Sequence, residues 1–317
     1  MGLKARTPTL HVGEDPSLRL FVSRLGKHLS SAVRSRTALI LGVLVALAVP
    51  VLTLPRLPEL NPWPVLVGMA PWVVGKYLLC PLRWRALTDA GLSRRWHIRA
   101  YAESELLGLV TPGHVGADLW RIGRLARTGL SRPDAVASVG LDRLVGAIGL
   151  AAFVAFAGTA LPTRMLVVAA GVGGALVVLA LVLRKVRPGL MPSRPLPPLR
   201  ALLHGLVLSA LYQLSIAALL LGTLAATGNS LSPLAVLGAF GASQLAGAVP
   251  GPNGASPREG ALIVSLAALG VPWVAAAAAV ALKATLAWLP ALLLGGASLI
   301  ATRRAMRSRA QALQPAT

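Results

Sequence analysis

Long apolar runs separated by clusters of basic residues constrain this chain more than any other feature of its sequence. A helix needs about 20 mainly apolar residues to cross the hydrocarbon layer of a membrane. Hydrophobic residues make up 55% of the 317 residues and charged residues only 13%, too few to cover the surface of a soluble domain. The sequence therefore excludes a soluble enzyme and predicts an all-α, polytopic membrane bundle with about six full spans. The predicted spans are 38–54, 63–80, 136–160, 165–183, 200–226 and 274–301.

The positions of the basic residues predict the topology of these spans. Lysine and arginine together number 31 against 10 acidic residues, a net charge of +21. Most of them fall in five clusters, at 1–36, 81–99, 121–132, 184–200 and 303–309. Such clusters accumulate on the cytoplasmic side, so we expect a multi-pass protein of the cell membrane with both termini in the cytoplasm. Because the charge lies between apolar runs, nucleic acid is not an expected partner.

The same pattern divides the chain into five parts. Residues 1–36 form a basic segment in which apolar residues recur at helical spacing. This spacing favours a helix lying on anionic lipids of the inner leaflet, with a disordered basic tail as the alternative. Two membrane halves, 37–183 and 200–302, flank a proline-rich basic linker at 184–199. Residues 303–317 form a basic cytoplasmic tail.

Two apolar segments, 100–116 and 240–254, are short and interrupted by glycine and proline. Both read Ser-x-Leu-x-Gly-x-Val and then Pro-Gly-x-x-Gly, with Thr111 as a single insertion. Further along, Gly129-Leu130 corresponds to Gly270-Val271, 141 positions later. The order of these matches indicates an internal duplication.

The number of spans between the two copies predicts that they are inverted. Three spans lie between them, so the second copy enters from the opposite side of the membrane. Segment 100–132 begins and ends at basic clusters and is predicted to be re-entrant from the cytoplasm. Segment 233–271 is either a matching re-entrant hairpin or two interrupted spans. Inverted repeats with helices broken at mid-depth are typical of transporters, although glycine and proline also kink ordinary spans.

The interrupted segments and the helix after the first of them resemble a known family. Residues 112–121, Pro-Gly-His-Val-Gly-Ala-Asp-Leu-Trp-Arg, and the later Asp142-Arg143 pair resemble the first signature of the lysylphosphatidylglycerol synthase transmembrane-region family. Residues 250–259 are similar to its second signature, Pro-x-Pro-Gly-Gly-x-Gly-x-x-Glu, with Asn253 and Ser256 replacing two glycines. The resemblance covers roughly residues 35–305. It implies two inverted halves that move lipids or lipid-linked head groups between leaflets. It does not imply lipid aminoacylation, because the family's synthetase is a separate soluble domain.

Ionisable residues at membrane depth are the candidate substrate-binding residues. A charge there costs about 2.5–3.5 kcal/mol on the insertion scale, so it usually has a partner or a function. Arginines would hold an anionic phosphate through bidentate hydrogen bonds, and helix ends after the Pro-Gly pairs would add backbone N–H donors. The complete set is Glu103, Asp142, Arg143, Arg258, Glu259, Lys283, Pro112, Gly113, Pro250, Gly251, Asn253 and Gly254.

A structural interpretation of these charges is equally open at this level. Ion pairs between Asp142 and Lys283, and between Glu259 and Arg143, would fix helix packing without binding a ligand. Such pairs often contribute specificity to a fold rather than stability.

Several other polar residues predict no site. Asp118 and Arg121 are expected at the solvated cytoplasmic interface, and Lys76, near the end of its predicted span, is expected to extend its ammonium group to the surface. Cys80 is the only cysteine, and the histidines have no ligand-like spacing, so no metal site is expected. No Walker motif occurs, and no cofactor is expected.

These observations favour an integral membrane translocase for a phospholipid or a polyprenyl-linked lipid with an anionic head group. One alternative is an integral-membrane glycosyl or lipid transferase, which would need catalytic acids in a sizeable exterior loop; the predicted exterior loops are short. The other is an accessory subunit of envelope-lipid synthesis. No catalytic motif is recognisable, so enzymatic activity is the less favoured hypothesis.

Overall fold

Helices make up all the regular structure of the residues that the computed structural model describes. These are residues 61–88, 90–109, 111, 115–156, 182, 185, 192–246 and 257–312. All of them belong to one compact unit, Val45–Thr317. The predicted amphipathic segment 1–36 and the predicted spans 38–54 and 165–183, apart from Val182, lie outside the described residues.

Four of the predicted spans are present as long apolar helices. Within the described residues, the stretches long and apolar enough to cross a membrane are Pro62–Thr88, Arg132–Phe153, Leu199–Ala226 and Trp273–Ala305. The helices in chain order are α1 (Pro62–Val74), α2 (Cys80–Thr88), α3 (Arg94–Leu109), α4 (Val115–Ala126), α5 (Arg132–Phe156), α6 (Leu199–Ala226), α7 (Pro233–Ala246), α8 (Pro257–Ala268), α9 (Trp273–Pro290) and α10 (Gly296–Ala312). One π-helical turn, Gly75–Leu79, joins α1 to α2, and another, Ala291–Gly295, joins α9 to α10.

The span formed by α1 and α2 extends beyond its predicted end at Cys80. The predicted end marked the limit of the apolar run, and Pro81, which follows it, lacks an N–H and would crowd the carbonyl four residues earlier in an α-helix. The π-helical turn accommodates this proline, because the Cys80 N–H bonds to the carbonyl of Gly75, five residues back. The helix therefore continues to Thr88 and carries Arg83 into the protein interior.

Helix α6 packs antiparallel to α1 along small residues. A Cβ atom added at Gly68 would lie 3.1 Å from the Cα of Leu219, and one added at Gly222 would overlap the Pro64 carbonyl. The contact therefore joins the start of α1 to the end of α6. This close approach explains why glycine occupies both positions.

Helices α5 and α6 run parallel to each other. An added Cβ at Gly205 would lie 3.2 Å from Val145, and one at Gly149 would overlap Ser209, so residue numbers increase in the same direction on both helices. Together with the antiparallel α1–α6 pair, this matches the predicted relative directions of these three spans.

The two interrupted segments form helical hairpins, α3–α4 and α7–α8, whose helices pack against each other. Local details recur at the positions that the sequence comparison paired. The Ser104 hydroxyl donates to the Tyr101 carbonyl, and the Ser243 hydroxyl to the Phe240 carbonyl. After each hairpin, a glycine with positive φ, Gly129 or Gly270, lies in the turn that follows the second helix. The next helix then begins at Arg132 in one half and Trp273 in the other.

Candidate functional site

A cavity of about 520 Å³ lies between helices from both membrane halves. This volume is within the range of about 300–1,000 Å³ that is usual for ligand sites. Apolar side chains of α1, α5, α6 and α7 form part of its wall, among them Trp72, Leu150, Ile216, Leu219 and Phe240. Five cations and two carboxylates also line the cavity: Lys76, Arg83, Glu105, Arg143, Arg258, Glu259 and Lys283.

Asp142 lies behind the cavity wall and holds two arginines. Its side chain is 1% exposed. One carboxylate oxygen, Oδ1, accepts from the Nε of Arg83 at 2.7 Å, and the other accepts from Nη1 of Arg121 at 2.8 Å. Arg121 is also buried, and its guanidinium lies over the rings of Trp84 and Tyr101. Asp142 therefore positions cationic groups and does not itself line the cavity.

Arg143 belongs to the same network but faces the cavity. Its guanidinium forms a forked contact with Asp118, with Nη2 of Arg143 2.9 Å from Oδ1 of Asp118. Arg121 bridges Asp118 to Asp142. We call Arg83, Arg121, Arg143, Asp118 and Asp142 the arginine–aspartate network. The exposed fraction of Arg143 is 47%, so an anion can reach its guanidinium where it cannot reach that of Arg121.

Lys76 and Glu105 form an ion pair in the middle of the lining. Their Nζ and Oε2 atoms are 2.8 Å apart, and both side chains are largely buried. The Lys76 ammonium also lies over the rings of Tyr101 and Tyr212, 6.0 and 5.6 Å from the ring centroids. Aromatic faces and a carboxylate together stabilise a buried ammonium group.

The second half contributes what we call the Lys283 group, consisting of Arg258, Glu259 and Lys283. Nη2 of Arg258 is 3.2 Å from Oε1 of Glu259. Lys283 makes no hydrogen bond or ion pair with any described residue and lines the cavity. Gln213, also in the lining, is buried and its Oε1 has no hydrogen-bond partner among the described residues. The cavity thus presents polar groups whose bonding capacity the described protein does not use.

Glu103, one of the predicted substrate-binding residues, lies in a different cluster. It is fully buried and accepts hydrogen bonds from Ser298, Thr302 and the indole of Trp120. The Nε of Arg124 is 3.3 Å from its carboxylate, close enough for an ion pair but without the alignment of a hydrogen bond. These contacts join α3 to α4 and α10, and Glu103 is not among the cavity-lining residues.

The structure brings Arg143, Arg258, Glu259 and Lys283 together around one cavity. The ion pairs suggested as its structural alternative are wrong: Asp142 pairs with arginines of α2 and α4, and Arg143 pairs with Asp118. The six predicted site residues in the hairpin turns lie outside the described residues: Pro112, Gly113, Pro250, Gly251, Asn253 and Gly254.

Three further expectations are corrected. Arg121 is buried rather than solvated, because α4 packs against α3 and α5. Lys76 does not reach the surface, since its helix continues to Thr88 and places it mid-span. Arg83, which we assigned only to a basic cluster, lines the cavity. No spacing in the sequence would have found it, because the π-helical turn Gly75–Leu79 interrupts the α-helical periodicity before Arg83.

The described residues contain no group of three or more histidine, cysteine, aspartate or glutamate side chains that could hold a metal ion. The cavity offers cationic donors and an apolar wall, a combination suited to an amphiphilic anion.

Comparison with known proteins agrees with this architecture at the level of the family. No curated protein and no solved structure matches the chain. Residues 36–295 match the family described as the lysylphosphatidylglycerol synthase TM region. The match includes every cavity-lining residue and confirms the resemblance found in the sequence. The chain is therefore a membrane protein that belongs to the lysylphosphatidylglycerol synthase TM region family.

Proposed function

We propose that the protein is a translocase that moves a phospholipid or polyprenyl-linked lipid with an anionic, phosphate-bearing head group between membrane leaflets. The observation that carries this proposal is the cavity, in which five cations and two carboxylates lie beside an apolar wall. A phosphate would bind the cations while the hydrocarbon chain stays near the apolar wall. Such a site lets a polar head group cross membrane depth without facing hydrocarbon.

Arg143 is the residue best suited to contact the phosphate first. It faces the cavity, and a guanidinium matches phosphate oxygens with two parallel hydrogen bonds. Its present partner, Asp118, is partly exposed and also paired with Arg121. When a phosphate replaces Asp118 as the partner of Arg143, Asp118 therefore remains paired with Arg121.

Corresponding features at equal separations in the two halves support alternating access. Each half contains a helical hairpin followed by a span, and the spans begin 141 residues apart, at Arg132 and Trp273. An acidic residue lies in the first turn of the second hairpin helix in each half, Asp118 and Glu259, again 141 residues apart. We infer an inverted repeat whose halves rock about the cavity, as in other transporters built this way.

The test is lipid exchange in liposomes that contain the purified full-length protein. A membrane-impermeant reagent quenches fluorescently labelled phosphatidylglycerol or polyprenyl phosphate in the outer leaflet only. Labelled lipid that moves there from the inner leaflet is quenched as well, so translocation appears as a larger quenched fraction. We expect the protein to raise this fraction. Equal quenching with and without protein, for every phosphate-bearing lipid tried, would contradict the proposal.

Two variants make the test specific. Arg143→Gln removes the charge at the cavity and should lower head-group affinity about tenfold to a hundredfold, since a hydrogen bond to a charged group contributes about 1.5–3 kcal/mol. Arg85→Gln, at an exposed position outside the cavity lining, is the matched control and should exchange lipid normally. Equal rates for both variants would remove Arg143 from the site.

A further inference from the structure

The charges around the cavity do not cancel, and their excess lies in two separate places. The arginine–aspartate network holds three cations and two carboxylates. The Lys283 group holds two cations and one carboxylate. The Lys76–Glu105 pair in the same lining is neutral. Within the described part of the chain, each of the two groups therefore has one positive charge in excess.

Excess positive charge in a largely buried site is costly unless an anion compensates it. In the first group the accessible cation is Arg143, and in the second it is Lys283, which has no bonded partner among the described residues. One negative charge could compensate only one of these groups. A ligand with two linked anionic groups would compensate both.

Both cations also lie within the hydrocarbon layer at their predicted depths. Arg143 is 7 residues after the start of the predicted span 136–160, about 10 Å along α5, and Lys283 is 9 residues after the start of the predicted span 274–301, about 14 Å along α9. These spans are predicted to begin on opposite sides of a hydrocarbon layer about 30 Å thick, so the two cations would lie about 10 and about 16 Å from its cytoplasmic side. Both line one cavity, in which two linked anionic groups would contact both.

We infer that the preferred substrate is a lipid whose head group carries two phosphates in series, a diphosphate-linked polyprenyl lipid, with one phosphate at Arg143 and the other at Lys283. This inference rests on the proposed function and narrows its substrate class. The enclosed Oε1 of Gln213 would accept a hydrogen bond from a hydroxyl of a sugar attached to the diphosphate. A head group esterified with lysine carries two ammonium groups against one phosphate, so it would add positive charge to a cavity that already holds an excess.

The test compares two lipids that differ by one phosphate. A glycosyl diphosphate polyprenol carries two negative charges, and a glycosyl monophosphate polyprenol of the same chain length carries one. Binding to the full-length protein in mixed micelles is followed by tryptophan fluorescence, since Trp72 lines the cavity. We expect the diphosphate lipid to bind about tenfold more tightly or better. Equal affinities would overturn the inference.

Variants of Lys283 locate the second phosphate. Lys283→Gln should weaken binding of the diphosphate lipid about tenfold and leave that of the monophosphate lipid nearly unchanged. Lys283→Arg, which keeps the charge, should retain the preference. Lys283→Met provides a second neutral variant if the glutamine variant unfolds. If neutral variants lower both affinities equally, Lys283 does not contact a second phosphate and the inference is wrong.

The outcomes separate this inference from the proposed function. Liposome exchange of monophosphate lipids, combined with equal affinities for the two polyprenols, would overturn the diphosphate inference and leave the translocase proposal intact. Absence of exchange and of binding for both lipids would contradict both proposals. Inorganic pyrophosphate tests whether the lipid chain is recognised. If pyrophosphate competes fully with the diphosphate lipid at the same concentration, the polyprenyl chain is not recognised.

Discussion

Replacing Asp142 by asparagine should destabilise the protein strongly, because this carboxylate holds two buried arginines. Oδ1 accepts from Arg83, and Oδ2 accepts from Arg121. Asparagine keeps one acceptor but turns the other into an amide donor that faces a guanidinium N–H. It also removes the negative charge that offsets two cations.

The size of the effect follows from the burial of all three side chains, each less than one-tenth exposed. Breaking a buried ion pair by neutralising one partner costs about 3–5 kcal/mol. For a chain of this size that corresponds to a loss on the order of 10 °C in melting temperature. The free energy of unfolding is measured in mixed micelles by titration with a denaturing detergent.

A double-mutant cycle checks the reasoning. Asp142→Asn leaves two buried arginines without their carboxylate, and Arg83→Met removes one of these arginines. The loss in free energy of unfolding for the double variant should therefore be smaller, by at least about 1 kcal/mol, than the sum of the losses for the two single variants. Arg143→Gln, at an exposed pair, should change stability by only about 0–1 kcal/mol. The expected loss for a broken buried pair is about 3–5 kcal/mol. If the free energy of unfolding of Asp142→Asn is instead within about 1 kcal/mol of that of the unmodified protein, the carboxylate is not needed to hold the arginines.

Three other predictions concern packing, the C-terminal helix and topology. Gly75→Ala should destabilise the protein, because the added Cβ would overlap the Ser215 hydroxyl, whereas Gly140→Ala, with open space around it, should not; thermal unfolding of both variants compares them. Glu103→Gln should increase hydrogen exchange in α10, since the fully buried carboxylate accepts bonds from two hydroxyls of that helix, and unchanged exchange would contradict this role. A cysteine in place of the exposed Leu196, in a protein without its native thiol, should react with membrane-impermeant reagents only from the cytoplasmic side, and labelling from outside would reverse the predicted topology.

The sequence was sufficient to predict the described spans and the interruption of the two segments between them, because hydropathy over about 20 residues and the positions of basic clusters depend little on how helices contact one another. The helix that begins at Leu199 starts within one residue of its prediction. The helix that begins at Trp273 also starts within one residue of its prediction. The correspondence between the two interrupted segments could also be found in the sequence, because it depends on matching residues at nearly fixed separations.

The partners of the buried charges could not be predicted, because they depend on helix rotation. A π-helical turn inserts one residue, which turns the following helix by about 100° relative to an uninterrupted α-helix. The turn at Gly75–Leu79 therefore decides where Arg83 points, and no periodicity in the sequence marks such a turn. The pairing of Asp142 with Arg83 rather than with Lys283 follows from that geometry.

The sharing of one carboxylate by two arginines also affects the biosynthesis of the protein. Arg83 and Arg121 leave the ribosome before Asp142, which follows them by 59 and 21 residues. At about 5–20 residues per second, Arg83 waits about 3–12 s for its partner. During that interval its guanidinium has no carboxylate from the later span, so the end of the first described span would remain near the lipid head groups. The final depth of that span would be reached only when α5 has been made and inserted.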